Sequence, residues 1–588
     1  MHDTQITTMA DLEQDGLAGA QVAGVELVAV PGREGVRVFA GRCPHQGTLL
    51  AEGHVENGRL TCRAHGWQFD QENGRKVDDP QTCLHQFSTQ VENGRVLVDA
   101  TEIAAWAAAR PAEHPQNGTR PVRTPDQLPG PRSLPLLGNL FQLNIDRFHQ
   151  GLEKWYQEFG DYYQFKMGRE QVLVIADPDT VQKILQDRPG NFSRSKNIRQ
   201  VIAEIGVEGL FNAEGAQWRR QRQVATRAFD VRHLREFFPV LVKVTRRLHN
   251  RWQRLARQQS PFDVQKELMR YTVDVTTNLA FGYDMNTLEE EGDRIQQHLE
   301  HIFPMIAHRA FIPVPYWRYI KLPADRALDD AQVELRAAVD QLIDHARQQL
   351  IDNPDLIAHP QNLLQALLAA QADEDVEFSD EEIYSNVITF LLAGEDTTAN
   401  TMAWMFYFMT RYPEVQARMQ AEADTLLVNG APTITDYEQI GKVSYIEAVI
   451  HETMRFKPVA PFMGFQALTD VTINDLHIPE GMSIITLMRS KGLEEDQFST
   501  ASAFRPERWM DYDRRDNPHQ RKSFAPFGGG PRLCPGRSLA LLEIKMAMSM
   551  ICRHFEVVRA DPGRDIAEKF VFTMLPEALR ITLRPRGI

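Results

Sequence analysis

Two short segments near the start of the chain, Cys43-Pro44-His45 and Cys62-Arg63-Ala64-His65, each pair a thiol with an imidazole. Two thiolates and two imidazoles suit tetrahedral zinc; they equally suit an iron-sulfur cluster, with sulfur on one iron and nitrogen on the other. A second candidate lies far downstream, where a lone Cys534 sits in Phe527-Gly-Gly-Gly-Pro-Arg532-Leu-Cys534-Pro-Gly536. A thiolate that binds metal there needs backbone amides close to the sulfur, and Gly530 and Gly536 permit that approach. The third is Asp396-Thr397 in Ala393-Gly394-Glu395-Asp396-Thr397-Thr398. An acid next to a hydroxyl can pass protons into a site that keeps bulk water out.

The surrounding sequence indicates how these groups are carried. Residues 1–105 read as short strands, among them 25–30, 36–40 and 91–98, and the turn Glu-Asn-Gly-Arg recurs at 56–59, 72–75 and 92–95. Asn-Gly accepts the positive φ of type I′ hairpins, so a small all-β domain is expected. Residues 106–128 are proline-rich without apolar periodicity and read as a linker. From Leu128-Pro129-Gly130-Pro131 the texture becomes helical, with strand-like stretches at 162–165 and 172–175. The clearest helix opens on a capping box, Ser379 with Glu382, and continues through Ile383, Val387, Phe390 and Met402. Gly394 in its middle costs about 1 kcal/mol relative to Ala, a local rule broken beside Asp396 and Thr397.

Composition sets limits. A chain of 588 residues implies two or more domains. Five cysteines, spread from 43 to 552, do not form a disulfide framework and read as thiols of a reducing, cytoplasmic setting. A net charge of −14 argues against nucleic acid as a partner, and neither a signal peptide nor an apolar run of transmembrane length is found. Cys83 and Cys552 are expected to be buried structural thiols. His298, His301 and His308 are the nearest approach to a mononuclear iron site, but they lack the carboxylate spacing and read as surface or core residues.

The N-terminal quartet, set in Cys43-Pro-His45-Gln-Gly47 and Cys62-x-x-His65-Gly66-Trp67-x-Phe69, resembles the Rieske 2Fe-2S signature. Thr48 and Ala64 stand where respiratory Rieske proteins have a disulfide, and Trp67 and Phe69 where they have hydroxyls. The resemblance is therefore to the low-potential type, toward the lower end of roughly −150 to +300 mV. The segment Phe527, Gly530, Arg532, Cys534, Gly536 resembles the haem-thiolate loop of cytochrome P450. Glu452 and Arg455 with Arg508 match that family's structural network, Trp218 and Arg222 its propionate-binding helix, and Ala393 to Thr398 its oxygen-activating helix. Gln466 stands where many members have a propionate-binding Arg.

These resemblances imply a multidomain chain: a small all-β Rieske domain over 1–105, the linker over 106–128, and a mainly α cytochrome P450 fold with minor β-sheet over 129–588, similar to bacterial fatty-acid hydroxylases. They imply haem b with Cys534 as axial ligand, propionate contacts from Trp218, Arg222 and Arg532 with Phe527 in the loop, and a 2Fe-2S cluster on Cys43, His45, Cys62 and His65. Asp396 and Thr397 are the implied proton relay. The activity implied is insertion of one atom of O₂ into a small apolar organic substrate, C–H hydroxylation leading, with epoxidation, desaturation or oxidative coupling as alternatives and a redox carrier or sensor as the non-enzyme reading. Without a dinucleotide or flavin motif, a separate NAD(P)H-dependent flavoprotein reductase must load the cluster. Residues 1–105 hold 15 Asp and Glu against 8 Lys and Arg, so Arg514, Arg515, Arg521 and Lys522 are expected to dock that domain. Ile306, Phe311 and Ile312 are open between pocket and core.

Overall fold

The computed structural model describes residues 3–33, 35–45, 47–63, 66–109, 122–290, 294–312, 315–371, 378–428, 430–510 and 522–587, the side chains of Asp3, Gln14 and 294–301 excepted. His65, Arg514, Arg515 and Arg521 lie outside them.

The N-terminal part consists of three antiparallel sheets with a short helix, α1 (Met9–Asp15), capped by Thr8 through a capping box with Asp11. The sheet that carries the metal-ligand loop orders His54–Glu56, Arg59–Thr61, Gln68–Asp70, Arg75–Lys76 and Asp79–Cys83. Cys62 leaves the end of its second strand, and the chain re-enters at Gln68. Two of the three expected hairpins have positive φ at both turn residues, Asn57-Gly58 and Asn93-Gly94. The latter divides the expected 91–98 strand into Thr89–Glu92 and Arg95–Asp99. At the third, Gly74 alone is left-handed, because the Asp70 carboxylate caps the amides of Glu72 and Asn73. Cys83 is exposed at the end of its strand, its thiol directed to the Asn73 carbonyl, which corrects the expectation of burial. Cys552 is buried as expected.

Helix α2 (Ala100–Ala109) occupies the first part of the proline-rich stretch. By Arg123 the chain is already fixed to the C-terminal part through an ion pair with Asp475. Described structure thus reaches into both ends of the expected linker.

The rest is mainly helical. A five-stranded sheet orders Tyr162–Met167, Glu170–Ile175, Ser483–Leu487, Phe462–Ala467 and Phe192–Arg194. The helices that position functional groups are α3 (Pro178–Gln186), α4 (Gly215–Ala228), α5 (Val264–Phe281), α6 (Asp380–Arg411), α7 (Tyr445–Phe456) and α8 (Arg537–His554). Ser379 caps α6 with Glu382, as the sequence indicates. Trp404, Met405 and Phe406 of α6, which point to different sides, are all fully buried, so this part of the helix belongs to the interior. Gly394 lets α6 cross α5 closely: a Cβ there would stand 2.3 Å from the Thr276 hydroxyl. Ile306 and Phe311 are core residues, Phe311 against Phe148 and Phe462, with Ile312 packed at the edge of the core. His308 is half-buried beside Tyr316.

Candidate functional site

In the N-terminal loops, Cys43 and Cys62 are buried while His45 is half-exposed, its ring stacked on Trp67 at 4.7 Å and 11°. The Cys43 amide donates to the Thr48 carbonyl at 2.8 Å, and the Cys62 amide to the Trp67 carbonyl at 2.7 Å. Each loop closes through a left-handed glycine, Gly47 and Gly66. The two loops therefore share one construction, with thiols inside and the described imidazole toward the edge.

The Cys534 loop is fixed from below. The Cys534 amide donates to the Phe527 carbonyl at 3.1 Å. The Gly536 amide donates to the Cys534 thiol, and a Cβ on Gly536 would stand 3.9 Å from the sulfur. Gly530 has a different purpose from the one its proximity to Cys534 indicates: its φ is +63° and its added Cβ would lie 2.1 Å from the Leu185 carbonyl, so it lets the loop lie on α3. Glu452 and Arg455 are fully buried in a bidentate pair, with Arg508 Nε on Glu452 at 3.1 Å and the guanidiniums filled by carbonyls of Gly492, Ala501 and Ser499. Every charge there has a partner, so this network is structural.

A haem needs a home for two carboxylates, and the structure has an excess of buried cations next to the loop. Arg188 and Arg532 share one carboxylate, Glu214, and the Arg194 guanidinium, seated on the Phe211 carbonyl and ring, lies in the same field, so that two of the three positive charges are unmatched, with Arg199 adding to the field. Burial and the neighbouring guanidiniums lower all three, Arg532 to about 9. The Nε of Arg188 and of Arg532 are buried with no hydrogen-bond partner among the described residues. Two propionates would offset the excess, so these residues fit the group. Trp218 is fully buried under Arg532, 4.4 Å from ring centre to guanidinium. Gln466 donates to the Gly481 carbonyl, while Arg194 emerges on the adjacent strand. Arg188 and Arg194 belong to no motif; a departure at Gln466 was the one hint that cations had moved elsewhere.

Arg222 departs from expectation. Its guanidinium forks onto Glu52 of the N-terminal part, Nε and one terminal nitrogen both at 2.6 Å, with the two side chains 5% and 6% exposed. On the same helix Arg219 pairs with Glu26 and Arg227 with Asp15. Lys522, by contrast, pairs with Asp179 of α3, so the described part of the expected docking set does not reach the acidic domain. The α4 arginines do, because they sit at one face of a helix opposite its carboxylates.

Both metal-ligand regions meet at this interface. Arg63, next to Cys62, donates to the carbonyl of Pro535, next to Cys534. Cys43, Cys62, Leu60 and Leu533 lie in one hydrophobic cluster, with Phe527 and Trp67 packed on it. Arg42 reaches the Gln186 carbonyl at the end of α3, where Gly47 also packs.

On α6, Ala393 is exposed and Gly394 and Thr397 are half-exposed in the middle of a buried helix, so this face borders a cavity. The Asp396 carboxyl is buried, accepts from Asn400 at 2.8 Å and from the Thr573 hydroxyl, and is pushed by burial up to about 6 against those two donors. Thr397 donates to the Ala393 carbonyl at 2.8 Å. The acid and the hydroxyl that the sequence joins as a relay are thus adjacent but engaged with other partners.

The cytochrome P450 family model matches residues 128–583. The chain belongs to the cytochrome P450 family. The Rieske [2Fe-2S] domain model matches residues 3–88. Among relatives, cytochrome P450 cyp-13B1 of Caenorhabditis elegans is 28% identical over 78% of this chain and 94% of its own. Cytochrome P450 94A1 of Vicia sativa is 26% identical over 78% and 90%. Cytochrome P450 3A5 of Homo sapiens is 26% identical over 73% and 85%. This P450 is accordingly a haem monooxygenase, an oxidoreductase that acts on an organic substrate with O₂, and its N-terminal domain is of the 2Fe-2S type. Among the described residues, no helix is long and apolar enough to cross a membrane.

Proposed function

We propose that the chain is a self-supplied monooxygenase in which the N-terminal cluster passes electrons directly to the haem of the same chain, for hydroxylation of an apolar C–H bond. The observation that carries this reading is the shared interface: Arg63 next to one thiolate on Pro535 next to the other, with Cys43, Cys62 and Leu533 in one apolar cluster. Haem held by a thiolate supplies activation of O₂ for cleavage of its O–O bond.

The remaining steps belong to this chain's own residues. Cys534 would supply the thiolate to the haem iron, and Arg188, Arg194 and Arg532, the last stacked on Trp218, would hold its propionates through charge. Cys43, His45, Cys62 and His65 would hold the cluster. The apolar interface excludes water between the centres, and the α4 arginines orient the acidic domain. Asp396 supplies protons, because a carboxyl pushed up to about 6 is still partly protonated near neutral pH; Thr397 hands them on at the cavity. An external NAD(P)H-dependent flavoprotein reductase loads the cluster, in a cytoplasmic setting.

The test is reconstitution with a ferredoxin reductase and NADH. The full chain should turn over without added ferredoxin, whereas replacing Cys62 by Ser should abolish turnover with the haem spectrum intact. Full activity in the Cys62 variant would remove the internal donor.

A further inference from the structure

The one-residue tip of the hairpin Glu568–Val571 and Thr573–Pro576 connects the pocket wall to the acid. Val571 pairs with Thr573 across Phe572, which adopts φ +75°. A bulky residue held left-handed is strained and persists where the surroundings over-determine it, often at ligand clamps. The Phe572 ring lies between Phe211 at 6.1 Å and Phe303 at 5.8 Å. Phe211 in turn lies 3.5 Å under the guanidinium of Arg194, a member of the cation set next to the Cys534 loop. The half-exposed Phe572 ring therefore continues a row of aromatic contacts that begins at the cations beside that loop.

The next residue has its side chain on the other face. Thr573 donates to one Asp396 oxygen and accepts from Asn400 at 3.1 Å, and Asn400 also holds the second Asp396 oxygen. Gln265 of α5 donates to the Asn400 carbonyl at 2.7 Å, which fixes the amide with its NH₂ toward the carboxyl. Three elements thus present Thr573, Asn400 and Gln265 to Asp396; no charged side chain among the described residues contributes to its balance. Both stems of the hairpin are pinned, one through Glu568 on Arg489 and His149, the other through the Met574 carbonyl on Trp404. A push on the Phe572 ring is consequently taken up at the tip.

We propose that Thr573 is a positioning residue for Asp396 and that filling the pocket, by displacing Phe572, loosens its grip and frees the acid to turn toward Thr397. Proton delivery would then await an occupant, which suppresses wasteful turnover. This rests on the reading of Asp396 as the acid.

The experiment uses the full haem-loaded chain and an infrared pH titration of the Asp396 carboxyl band, assigned by its loss in Asp396→Asn. The probe is 1-dodecylimidazole, an azole with an apolar tail. Thr573→Val should raise the midpoint by about one to two pH units, since it removes a donor to the charged form. Thr573→Ser should restore the wild-type value. The probe should raise the wild-type midpoint in the same direction, and Phe572→Ala should abolish that response with the probe-free midpoint retained. An unchanged midpoint in Thr573→Val, or no response of the wild type to the probe for whatever reason, overturns the proposal. Asp396→Asn retaining full product yield per electron would sink the acid role alone, and the titration would still stand.

Discussion

Replacing Glu52 by Gln should slow electron arrival at the haem without touching either metal site. Glu52 grips Arg222 through two 2.6 Å contacts, and both side chains are nearly sealed from water. Breaking one partner of such a buried pair costs about 3–5 kcal/mol, less whatever is recovered when the domains part and Arg222 is rehydrated. A net loss of about 3 kcal/mol corresponds to a docking constant lower by roughly 150-fold, at about 1.4 kcal/mol per tenfold. The covalent tether opposes this with an effective concentration of roughly millimolar, so the transfer rate should fall about 10- to 100-fold rather than vanish. Asp15→Asn is the internal comparison: its partner Arg227 is 63% exposed, and exposed pairs contribute at most about 1 kcal/mol. The assay is laser-flash reduction of the cluster under carbon monoxide, with haem reduction followed at the Soret band and cluster integrity by electron paramagnetic resonance. A Glu52→Gln rate within twofold of wild type would refute the reasoning.

Three further outcomes are expected. Gly530→Ala should yield protein with little haem, because its Cβ would meet the Leu185 carbonyl at 2.1 Å in a left-handed backbone; pyridine haemochrome content measures it. Arg194→Gln should speed haem loss to apomyoglobin at least about tenfold, at roughly 1.4 kcal/mol or more for a buried charge-assisted contact, whereas the rate in Gln466→Ala should match wild type. Glu568 is buried, which raises it, but the His149 hydrogen bond, Arg489 and Lys457 hold it far below the usual carboxylate range. A depressed carboxylate stabilises the fold above its unfolded value and loses that contribution as pH falls. Glu568→Gln should therefore be about 3–5 kcal/mol less stable at pH 7, the gap closing below about pH 4, in urea unfolding.

What the sequence carried and what it did not divides along the range of the interactions. The Ser379 cap, the Asn57-Gly58 and Asn93-Gly94 turns and the strands near 162 and 172 depend on a few consecutive residues, and they appear where expected. Asn73-Gly74 escapes the same rule because Asp70, three residues before Asn73, supplies a competing cap. Cys83 lies at a strand end whose exposure depends on sheet order, which spacing does not encode. The Cys534, Glu452 and Arg508 motifs stand out because each has one chemical purpose. Arg188, Arg194 and Glu52 do not, because each engages a partner at a distance in sequence: Glu214, Phe211 and Arg222 respectively. Proximity along the chain points to Arg514, Arg515, Arg521 and Lys522 as docking cations; Lys522 pairs with Asp179 and the other three lie outside the described residues, while helix α4 presents Arg219, Arg222 and Arg227 to Glu26, Glu52 and Asp15, partners that only the fold brings near.

Direct transfer from cluster to haem is the central claim, and one measurement bears on it without any substrate. The full chain is prepared anaerobically with the cluster reduced and the haem oxidised under carbon monoxide, and the growth of the carbonyl Soret band is followed across a hundredfold dilution. A rate constant independent of protein concentration, matched by decay of the reduced-cluster signal, is the expected result. A rate that scales with concentration, or a cluster that stays reduced while the haem does not change, would contradict it.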